Sequence, residues 1–510
     1  MPLKHQHLLL ACVLFVVTTD VGCSQQSTSP TQAIGNQTTA AESPQQSPPA
    51  ESIIQAAVAE EILVSEPLTD GIPDSTKETE PQYRIVDETQ ELNRQRLSAA
   101  GIHVLESRRL ILLTDVNPVS VQDLPLLADY YFDYLENVCG RLRPSRSDTE
   151  FQATGCLISD FQLFQSLGLV PGPVIGMHHG QQFGYRFWIR EQTEDYYRRH
   201  LLLHEFAHVY MTCDTGLSDI PDGWFMEGAA EVFATHATVE GTTLFGLLPK
   251  TVSGFEGWGR ISTIKRQRMD PVHTDFMLQT IPSMDQLRFP KGTLAGDNAR
   301  YAWWWAFSWM LGNHPDYADE WIRLCRCRGT DEFRQQIRNL ENRHKRLATD
   351  WLLFAESLCE NFDRNLSFPQ HSEPDKLPHA ELTLRANRSW QDTSWELTAN
   401  TPVMIECSGT CVVEQTTAPW ISEPNGVTLE YKQGRPLGEV VAVLVSPGAN
   451  WISRRIAVGK RGIITTPRPG RLWMQINDSA NSRNNNSGSY HIRISQHPAL
   501  NNNSKSANQN

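Results

Sequence analysis

The sequence predicts an α+β domain followed by an all-β domain. In the first part, buried strands alternate with amphipathic helices, and the stretch from Asn298 to Cys359 has helical periodicity almost throughout. From Glu381 onward, short alternating strands are separated by turns that contain Gly and Pro. These two patterns predict an α+β domain over 83–365 and a β-sandwich over 380–498, joined by a polar linker over 366–379.

Composition and charge exclude several classes of protein. The chain has 510 residues, with 45 Lys and Arg against 58 Asp and Glu, and its net charge of −13 argues against a nucleic-acid partner. Hydrophobic residues make up 40% of the chain, which is enough to bury a sizeable core. No apolar stretch reaches the roughly 20 residues that a membrane-spanning helix needs, so a polytopic membrane protein is excluded.

The N-terminus has the pattern of an export signal. Lys4 and two histidines precede an apolar run over Leu8–Val17, which has the length of a signal peptide, so residues 1–23 are expected to direct export. The segment 22–24 (Gly-Cys-Ser) resembles the end of a bacterial lipobox, which implies a lipid anchor on Cys23 in the periplasm or outer cell envelope. Ordinary signal-peptidase cleavage is the alternative, and it would release a secreted protein.

Two terminal segments have compositions that do not support a packed core. Residues 24–82 are rich in Ser, Thr, Gln, Pro and Glu and poor in aromatic residues, so they are expected to form a disordered tether. The Asn- and Ser-rich residues 499–510 are expected to form a disordered tail. Eight cysteines follow Cys23, an even number that permits disulfides in an exported chain, and the sequence leaves their connectivity open.

Individual elements follow from hydrophobic periodicity. Strands are predicted at short apolar or alternating runs, and helices where apolar residues recur every three or four positions. The predicted strands of the first domain are Arg109–Thr114, Phe151–Ile158 and the aromatic-rich Phe183–Ile189. The predicted helices are Leu124–Leu142, Tyr196–Met211, Trp224–Ala237, Tyr301–Leu311 and Asp331–Ser357. In the second domain, strands are predicted at Val427–Tyr431, Val440–Val445 and Leu472–Ile476.

The pentad His-Glu-Phe-Ala-His from His204 to His208 carries the functional prediction. Residues four apart on a helix lie on one face, so both imidazoles can reach one zinc ion, with Glu205 beside them. The 18 residues between His208 and Glu227 are enough for a helix end, a loop and a second helix that returns beside the first. Glu227 can then supply a third ligand, and a His2Glu set leaves a fourth position open for water, as in catalytic zinc sites.

This motif, HExxH followed by Glu after an 18-residue gap, resembles the gluzincin metallopeptidases, the thermolysin-like and aminopeptidase-like superfamily. In that family the Glu lies in an Asn-Glu-Gly setting, and here Met226 stands in the place of the Asn. The resemblance implies a gluzincin fold over 83–365, with one catalytic Zn2+ held by the two histidines and Glu227. It also implies that Glu205 is the general base and later the proton donor in peptide hydrolysis.

The resemblance assigns roles to further residues. Glu231 lies one helical turn after Glu227 and matches the acid that orients the first zinc-binding His, with a solvated helix position as the alternative. Tyr301 is the best-placed candidate for the oxyanion-stabilising donor, with core packing as its alternative. The strand Phe183–Ile189 is expected to align an extended peptide by main-chain hydrogen bonds. No Gly-x-Met-Glu-Asn segment is present, so the sequence does not support exopeptidase specificity.

The loop after the predicted strand Leu472–Ile476 is dense in oxygen ligands. Asp478, Ser482, Asn485 and Asn486 lie close together in the sequence, and such hard ligands suit calcium. This stretch resembles the calcium loop of the PA-IL-like galactose-binding lectin fold. The resemblance implies a lectin-like β-sandwich, a glycan partner and Ca2+ bound through three side chains and the Ser482 carbonyl. A turn stabilised by side-chain caps is the alternative, because turns favour the same residues.

The sequence therefore predicts an exported zinc metallopeptidase that hydrolyses a peptide or protein substrate and carries a lectin-like module. The alternative is a carbohydrate-binding envelope protein whose peptidase-like domain is a catalytically silent scaffold. Retention of Glu205 disfavours the scaffold, because a scaffold can keep the ligands without keeping the base. In both cases a membrane is contacted only through the lipid on Cys23.

Overall fold

In a computed structural model the chain forms two units, Met1–Pro81 and Gln82–Asn510, and every residue whose structure is described lies in the second. The described residues are 83–84, 92–175, 177, 179–214, 222–239, 241–247, 259–268, 281–289, 298–372 and 380–497. The predicted export signal with Cys23, the tether over 24–82 and the tail over 499–510 lie outside them. Within the described ranges, no helix has the length and apolar character needed to cross a bilayer.

A five-stranded sheet forms the N-terminal part of the described fold. Its strands are β1 (His103–Glu106), β2 (Leu110–Thr114), β3 (Ala153–Ile158), β4 (Gly180–Phe183) and β5 (Arg186–Arg190). The strand order is β1-β2-β3-β5-β4, with β2, β3 and β5 parallel and the two outer pairs antiparallel. All six residues of β3 are buried, because apolar clusters cover both faces of this central strand.

Helices follow and surround this sheet. The helices of the described residues are α1 (Arg94–Ala99), α2 (Leu124–Cys139), α3 (Phe161–Ser166), α4 (Asp195–Cys213), α5 (Gly223–Ala234), α6 (Arg260–Arg268), α7 (Met284–Arg288), α8 (Asn298–Asn313), α9 (Ala318–Cys325), α10 (Thr330–Arg343), α11 (Leu347–Ser357) and α12 (Arg364–Ser367). A hairpin of β6 (His236–Val239) and β7 (Thr242–Phe245) follows α5. One apolar core joins the sheet to α2, α4, α5, α8 and α11, so the α+β prediction is confirmed.

The predicted helices at Leu124–Leu142, Tyr196–Met211 and Tyr301–Leu311 are confirmed with shifted ends. Helix α2 ends at Cys139 rather than at Leu142, because Gly140 adopts a positive φ of 80° and turns the chain out of the helix. The helix predicted at Trp224–Ala237 ends at Ala234, where the chain becomes extended and enters β6.

Two predicted elements are wrong in detail. The strand predicted at Phe183–Ile189 is a hairpin, because Gly184 takes a φ of 63° as the first residue of the two-residue loop between β4 and β5. The helix predicted at Asp331–Ser357 is two helices, α10 and α11, because the chain leaves the helical conformation at His344. Both helices bury apolar residues in one core, which the bend between them allows.

The chain beyond Ala380 forms antiparallel strands in two sheets. The first sheet contains β8 (Glu381–Arg385), β10 (Val403–Ser408), β11 (Cys411–Glu414), β12 (Trp420–Ser422), β16 (Arg461–Ile464) and β18 (Ser487–Gln496), in the order β12-β11-β18-β10-β16 with β8 paired to β18. The second contains β9 (Gln391–Leu397), β13 (Asn425–Lys432), β14 (Arg435–Val445), β15 (Ile456–Ala457) and β17 (Gly470–Ile476), in the order β13-β14-β17-β9 with β15 paired to β14. The predicted strands at Val427–Tyr431, Val440–Val445 and Leu472–Ile476 are therefore confirmed.

Strand β14 is buried on both of its faces. Val440 and Leu444 lie in the core between the two sheets, whereas Val441 and Val443 belong to the same apolar core as the helices. Burial on both faces explains why this strand has a continuous apolar sequence rather than an alternating one. The β part therefore packs on the helical part through an apolar face. Residues 373–379 of the predicted linker lie outside the described residues.

A buried ion pair lies where the helical part meets the β part. Glu356, near the end of α11, accepts hydrogen bonds from Arg455 Nε at 2.6 Å and Nη2 at 2.9 Å, and from the indole nitrogen of Trp390 at 3.1 Å. The side chains of Glu356 and Arg455 are 5% and 8% exposed. Burial raises the pKa of Glu356, but the positive charges of Arg455 and Arg268 overcome this effect and hold the pKa below its usual range.

We expect Glu356→Ala to destabilise the chain by about 3–5 kcal/mol, because it leaves the guanidinium of Arg455 buried without its counter-charge. Denaturant unfolding of the full chain measures this loss as a lower midpoint. The control is Glu396→Ala, which removes a carboxylate that is 55% exposed and pairs with Arg471 on the surface. The control is expected to cost no more than about 1 kcal/mol. Equal losses in the two variants would show that the buried pair does not stabilise this interface.

Candidate metal centre

Two neighbouring helices bring the three predicted zinc ligands together. His204 and His208 lie one turn apart on α4, which packs against β4, β5 and α5 and is buried along most of its length. Glu227 lies in the second turn of α5, which begins at Gly223 and runs beside α4. The helix pair expected from the spacing of the motif is therefore present, although residues 215–221 between the helices lie outside the described ranges.

The position of α5 depends on a close contact with α8. A Cβ added to Gly228 would lie 2.4 Å from the Ser308 hydroxyl oxygen and 2.7 Å from the main-chain oxygen of Trp304. Real side chains do not tolerate such distances, so a glycine is required for α5 and α8 to pack at this separation. Since Gly228 directly follows Glu227, this contact helps to set where the Glu227 carboxylate lies.

The three ligand atoms form a nearly equilateral triangle. The Nε2 atoms of His204 and His208 are 3.1 Å apart. Oε2 of Glu227 lies 3.3 Å from Nε2 of His204 and 3.4 Å from Nε2 of His208. In a tetrahedral zinc site with bonds of about 2.0–2.1 Å, the ligand atoms are separated by about 3.3 Å. The arrangement therefore fits a metal ion held by these three residues, with a fourth position left for water.

Glu231 and Arg260 support His204 from the side opposite the ligand triangle. Oε1 of Glu231 lies 3.5 Å from Nδ1 of His204, and Oε2 lies 3.3 Å from Nε2 of His200. Arg260 donates from Nε to Oε2 of Glu231 at 3.0 Å and from Nη2 to Oε1 at 2.5 Å. Nδ1 of His204 has no hydrogen-bond partner in this arrangement, and the Glu231 carboxylate is the neighbouring group that can orient it, as a carboxylate does for a His that binds a metal through Nε2. The Glu231 side chain is 3% exposed, which excludes the solvated alternative.

A second group of ligand atoms overlaps the first. His200, His204 and Glu231 also offer ligand atoms within 4.8 Å of one another. However, both carboxylate oxygens of Glu231 accept hydrogen bonds from Arg260, and the permanent positive charge of this guanidinium disfavours a divalent cation beside it. The triangle that includes Glu227 is therefore the better metal site.

Burial and neighbouring charges shift the pKa values of three groups at the site. Burial lowers the pKa of His204, but the hydrogen bond to Glu227 and the charge of Glu231 outweigh burial and raise this pKa to about 9. Burial also raises the pKa of Glu227, but the charge of His208 overcomes it and holds the pKa below its usual range. Burial raises the pKa of Glu205 above its ordinary value. Glu227 therefore stays charged in a largely buried site and, unlike Glu231, is not paired with Arg260, so it attracts a divalent cation.

Glu205 lies directly against the edge strand β4. The residue is 6% exposed, and a Cβ added to Gly180 would lie 2.5 Å from its Oε1 atom. Gly180 therefore allows the main chain of β4 to pass over the carboxylate without a side chain between them. Among the described strands, β4 pairs only with β5, so its other edge carries main-chain groups that an extended peptide can bind.

Tyr301 lies close enough to the site to respond to its charges. Burial raises the pKa of the Tyr301 phenol well above its usual range, and the charges of Glu227, Glu231 and Glu205 raise it further. The guanidinium of Arg260 lies 5.5 Å from the centre of the Tyr301 ring. By contrast, the tryptophans that follow on α8 lie in the apolar core; they are Trp303, Trp304, Trp305 and Trp309.

The residues predicted to bind calcium form a hydrogen-bonded loop. Asp478 is 2% exposed, and its carboxylate accepts from the Ser482 hydroxyl at 2.6 Å and from Nδ2 of Asn486 at 2.9 Å. Asn485 donates instead to Oε1 of Glu414 at 2.9 Å. The Oδ1 atoms of Asn485 and Asn486 are buried without a hydrogen-bond partner. The hydrogen bonds to Asp478 are those of a turn stabilised by side chains, whereas the two unpaired Oδ1 atoms are hard ligands of the kind that suits calcium.

Three residues of the site were not predicted from the sequence. His200 precedes His204 by four residues on α4, so the helical spacing that identified the other two histidines could have indicated it. Arg260 lies 29 residues beyond Glu231, and Gly180 lies on a strand that precedes α4. No local pattern connects either of these residues to the motif, so only the tertiary structure shows their contacts.

Comparisons with known proteins do not assign the chain to a family. No family model matches it, and no curated protein matches it. Among solved structures, 21 chains match, and one of these is described as "EclA N-terminal domain; PllA-like lectin". The two chains are 14% identical, the match covers 23% of this chain and 97% of that chain, and the TM-score is 0.19. A likeness at that score carries no argument about fold or ligand.

We expect Glu227→Ala to abolish stoichiometric zinc binding, because it removes one corner of the ligand triangle. Glu231→Ala is expected to still bind zinc, but with an affinity about 10–100-fold lower, because substitution of a residue that only orients a metal ligand typically has an effect of this size. His200→Ala tests the overlapping group and should leave the zinc content unchanged. Metal analysis after dialysis measures all three. Loss of zinc in His200→Ala with retention in Glu227→Ala would place the ion in the other group.

Proposed function

We propose that this protein is an exported, zinc-dependent peptidase that hydrolyses peptide bonds with Glu205 as the general base. The observation that carries the proposal is the triangle of His204, His208 and Glu227, with separations that fit tetrahedral zinc and with Glu205 beside it. The N-terminal signal pattern and the lipobox-like segment at Cys23 support a position at the cell envelope.

Bound at this triangle, zinc supplies Lewis-acid chemistry that makes a water more acidic and polarises a carbonyl group. The residues of the chain contribute the proton transfers and the orientation. Glu205 takes the proton from the attacking water and then delivers it to the leaving amine. Oε1 of Glu231 lies 3.5 Å from Nδ1 of His204, and a hydrogen bond formed there on metal binding would hold the imidazole in the tautomer that leaves Nε2 free to bind. Arg260 keeps the Glu231 carboxylate in place.

The edge strand β4 is the proposed binding surface for the substrate main chain. A peptide that adds to the open edge of β4 takes a fixed extended conformation. It then passes close to Glu205, because Gly180 has no side chain that would stand between β4 and the Glu205 carboxylate. Binding through main-chain groups recognises the backbone rather than a terminus. This favours cleavage within peptides, in agreement with the missing aminopeptidase segment.

A second candidate function rests on the loop around Asp478. The unpaired buried oxygens of Asn485 and Asn486 and the lectin-like motif support a calcium-dependent glycan-binding module. In that case the protein is a carbohydrate-binding envelope protein and the α+β part is a silent scaffold. The retained Glu205, packed beneath β4, favours the peptidase. In the peptidase proposal the same module directs the enzyme to a glycan.

Tyr301→Phe is expected to lower kcat by about 10²–10³-fold with unchanged zinc content, because a lost oxyanion donor destabilises the transition state. Steady-state kinetics on a cleaved peptide measure this change. The control is Tyr130→Phe, which alters a tyrosine that is 57% exposed on α2. A kcat equal to that of the control would mean that Tyr301 only packs in the core.

Glu205→Gln is expected to retain one zinc per chain and to lose nearly all peptide hydrolysis. The reason is that Glu205 takes the proton from the attacking water and does not bind the metal ion. Mass spectrometry of a digested peptide mixture measures the hydrolysis. Glu194→Gln, which neutralises an exposed carboxylate at the start of the same helix, should behave as the unaltered protein. Undiminished cleavage by Glu205→Gln would rule out the proposed mechanism, and no cleavage by any form would favour the scaffold.

A further inference from the structure

A cavity of about 670 Å³ lies between the helical part and the β part of the described fold. Among the described residues that line it, Glu356 is the only acidic one. Its basic lining residues are Lys265, Arg268, Lys432, Arg435, Arg454 and Arg455. We call this cavity the cationic cleft. Such a concentration of positive charge contrasts with the net charge of −13 of the whole chain.

Carboxylates compensate only part of this charge. Arg455 pairs with Glu356, while Lys265 and Lys432 pair with carboxylates that do not line the cleft. Arg268 donates its hydrogen bonds to main-chain carbonyl oxygens at the end of α11. Arg268 and Arg435 form no ion pair with a carboxylate of the described residues, so the cleft has a positive potential.

A hairpin turn with a fixed main chain forms one wall of the cleft. Gln433 and Gly434 lie between β13 and β14 and both have positive φ, 50° and 74°, as in a tight two-residue turn. Nδ2 of Asn477 donates to three main-chain carbonyl oxygens of this hairpin, at 3.0 to 3.1 Å. Asn477 therefore holds the turn, and the flanking side chains of Lys432 and Arg435 are not needed to do so.

A fully buried guanidinium adds to the positive potential. Arg483 is 0% exposed, and its Nε and Nη1 atoms have no hydrogen-bond partner. Burial lowers its pKa to about 10; the charge of Asp478 opposes this shift, and the charge of Arg455 adds to it. Nη2 of Arg483 donates to the main-chain oxygen of Asp478 at 2.9 Å, directly before the lining residue Ser479, so this buried charge lies close to the cleft.

We propose that the cationic cleft binds a small multivalent anion that carries phosphate or carboxylate groups. Guanidinium groups match both kinds of anion through paired hydrogen bonds. The volume of the cleft lies in the range of small-molecule sites, about 300–1,000 Å³. This site uses none of the zinc-ligand residues, so it stands independently of the proposed peptidase activity.

Calorimetric titration of the full chain at low salt tests the proposal. Fructose 1,6-bisphosphate is the phosphate probe, tricarballylate the carboxylate probe and fructose the uncharged control. We expect at least one anion to bind, with an affinity that falls as salt is added, and fructose not to bind. The anion that binds with the higher affinity shows whether the cleft prefers phosphate or carboxylate groups. Failure of both anions to bind, or equal binding of fructose, overturns the proposal.

Two pairs of substitutions place the binding in the cleft. The double variant Lys432→Gln/Arg435→Gln should lower the affinity for the tighter-binding anion by about 100-fold, because the loss of each ionic contact lowers the affinity roughly tenfold. Arg334→Gln with Arg338→Gln removes the same charge from an exposed face of α10 away from the cleft, and should change the affinity less than about threefold. Similar losses in both pairs would show that the anion responds to overall charge and would contradict a site in the cleft.

Discussion

The packing of α5 between α4 and α8 is the contact on which the candidate site depends. Two histidines on one helix face can only hold part of a metal coordination shell, and the third corner must come from another element. Gly228 allows α5 to approach α8 within a distance that any side chain would prevent. As a consequence, Glu227 reaches the two imidazoles at ligand separations of 3.3 and 3.4 Å.

Helix α6 links the two charged regions of the molecule. Its first residue, Arg260, holds Glu231 behind His204, and its last turn contributes Lys265 and Arg268 to the cationic cleft. The helix has 9 residues, which corresponds to a length of about 13 Å. The metal centre and the cleft are therefore built partly from opposite ends of one rigid element.

The sequence was sufficient where the signal is local. The spacing of His204 and His208 on one helix, and the apolar periodicity of α4 and α8, require only neighbouring residues, and these predictions agree with the structure. The gluzincin fold and the peptidase activity stay predictions, because no comparison identifies a peptidase family.

Features that depend on distant residues could not be predicted in the same way. The contact of Arg260 with Glu231 and the approach of Gly180 to Glu205 join elements that are separate in sequence. The burial of β14 on both faces shows as a continuous apolar run, but the run does not tell which elements cover it. The same holds for Glu356 and Arg455, which are 99 residues apart.

X-ray absorption at the zinc edge identifies the ligands of the ion independently of any activity, so it tests directly whether His204, His208 and Glu227 hold the metal. The protein should be loaded with one equivalent of zinc. We expect about four nitrogen or oxygen neighbours at about 2.0–2.1 Å, with the scattering pattern of two imidazoles. Three imidazoles, or sulfur at about 2.3 Å, would contradict a site formed by His204, His208 and Glu227.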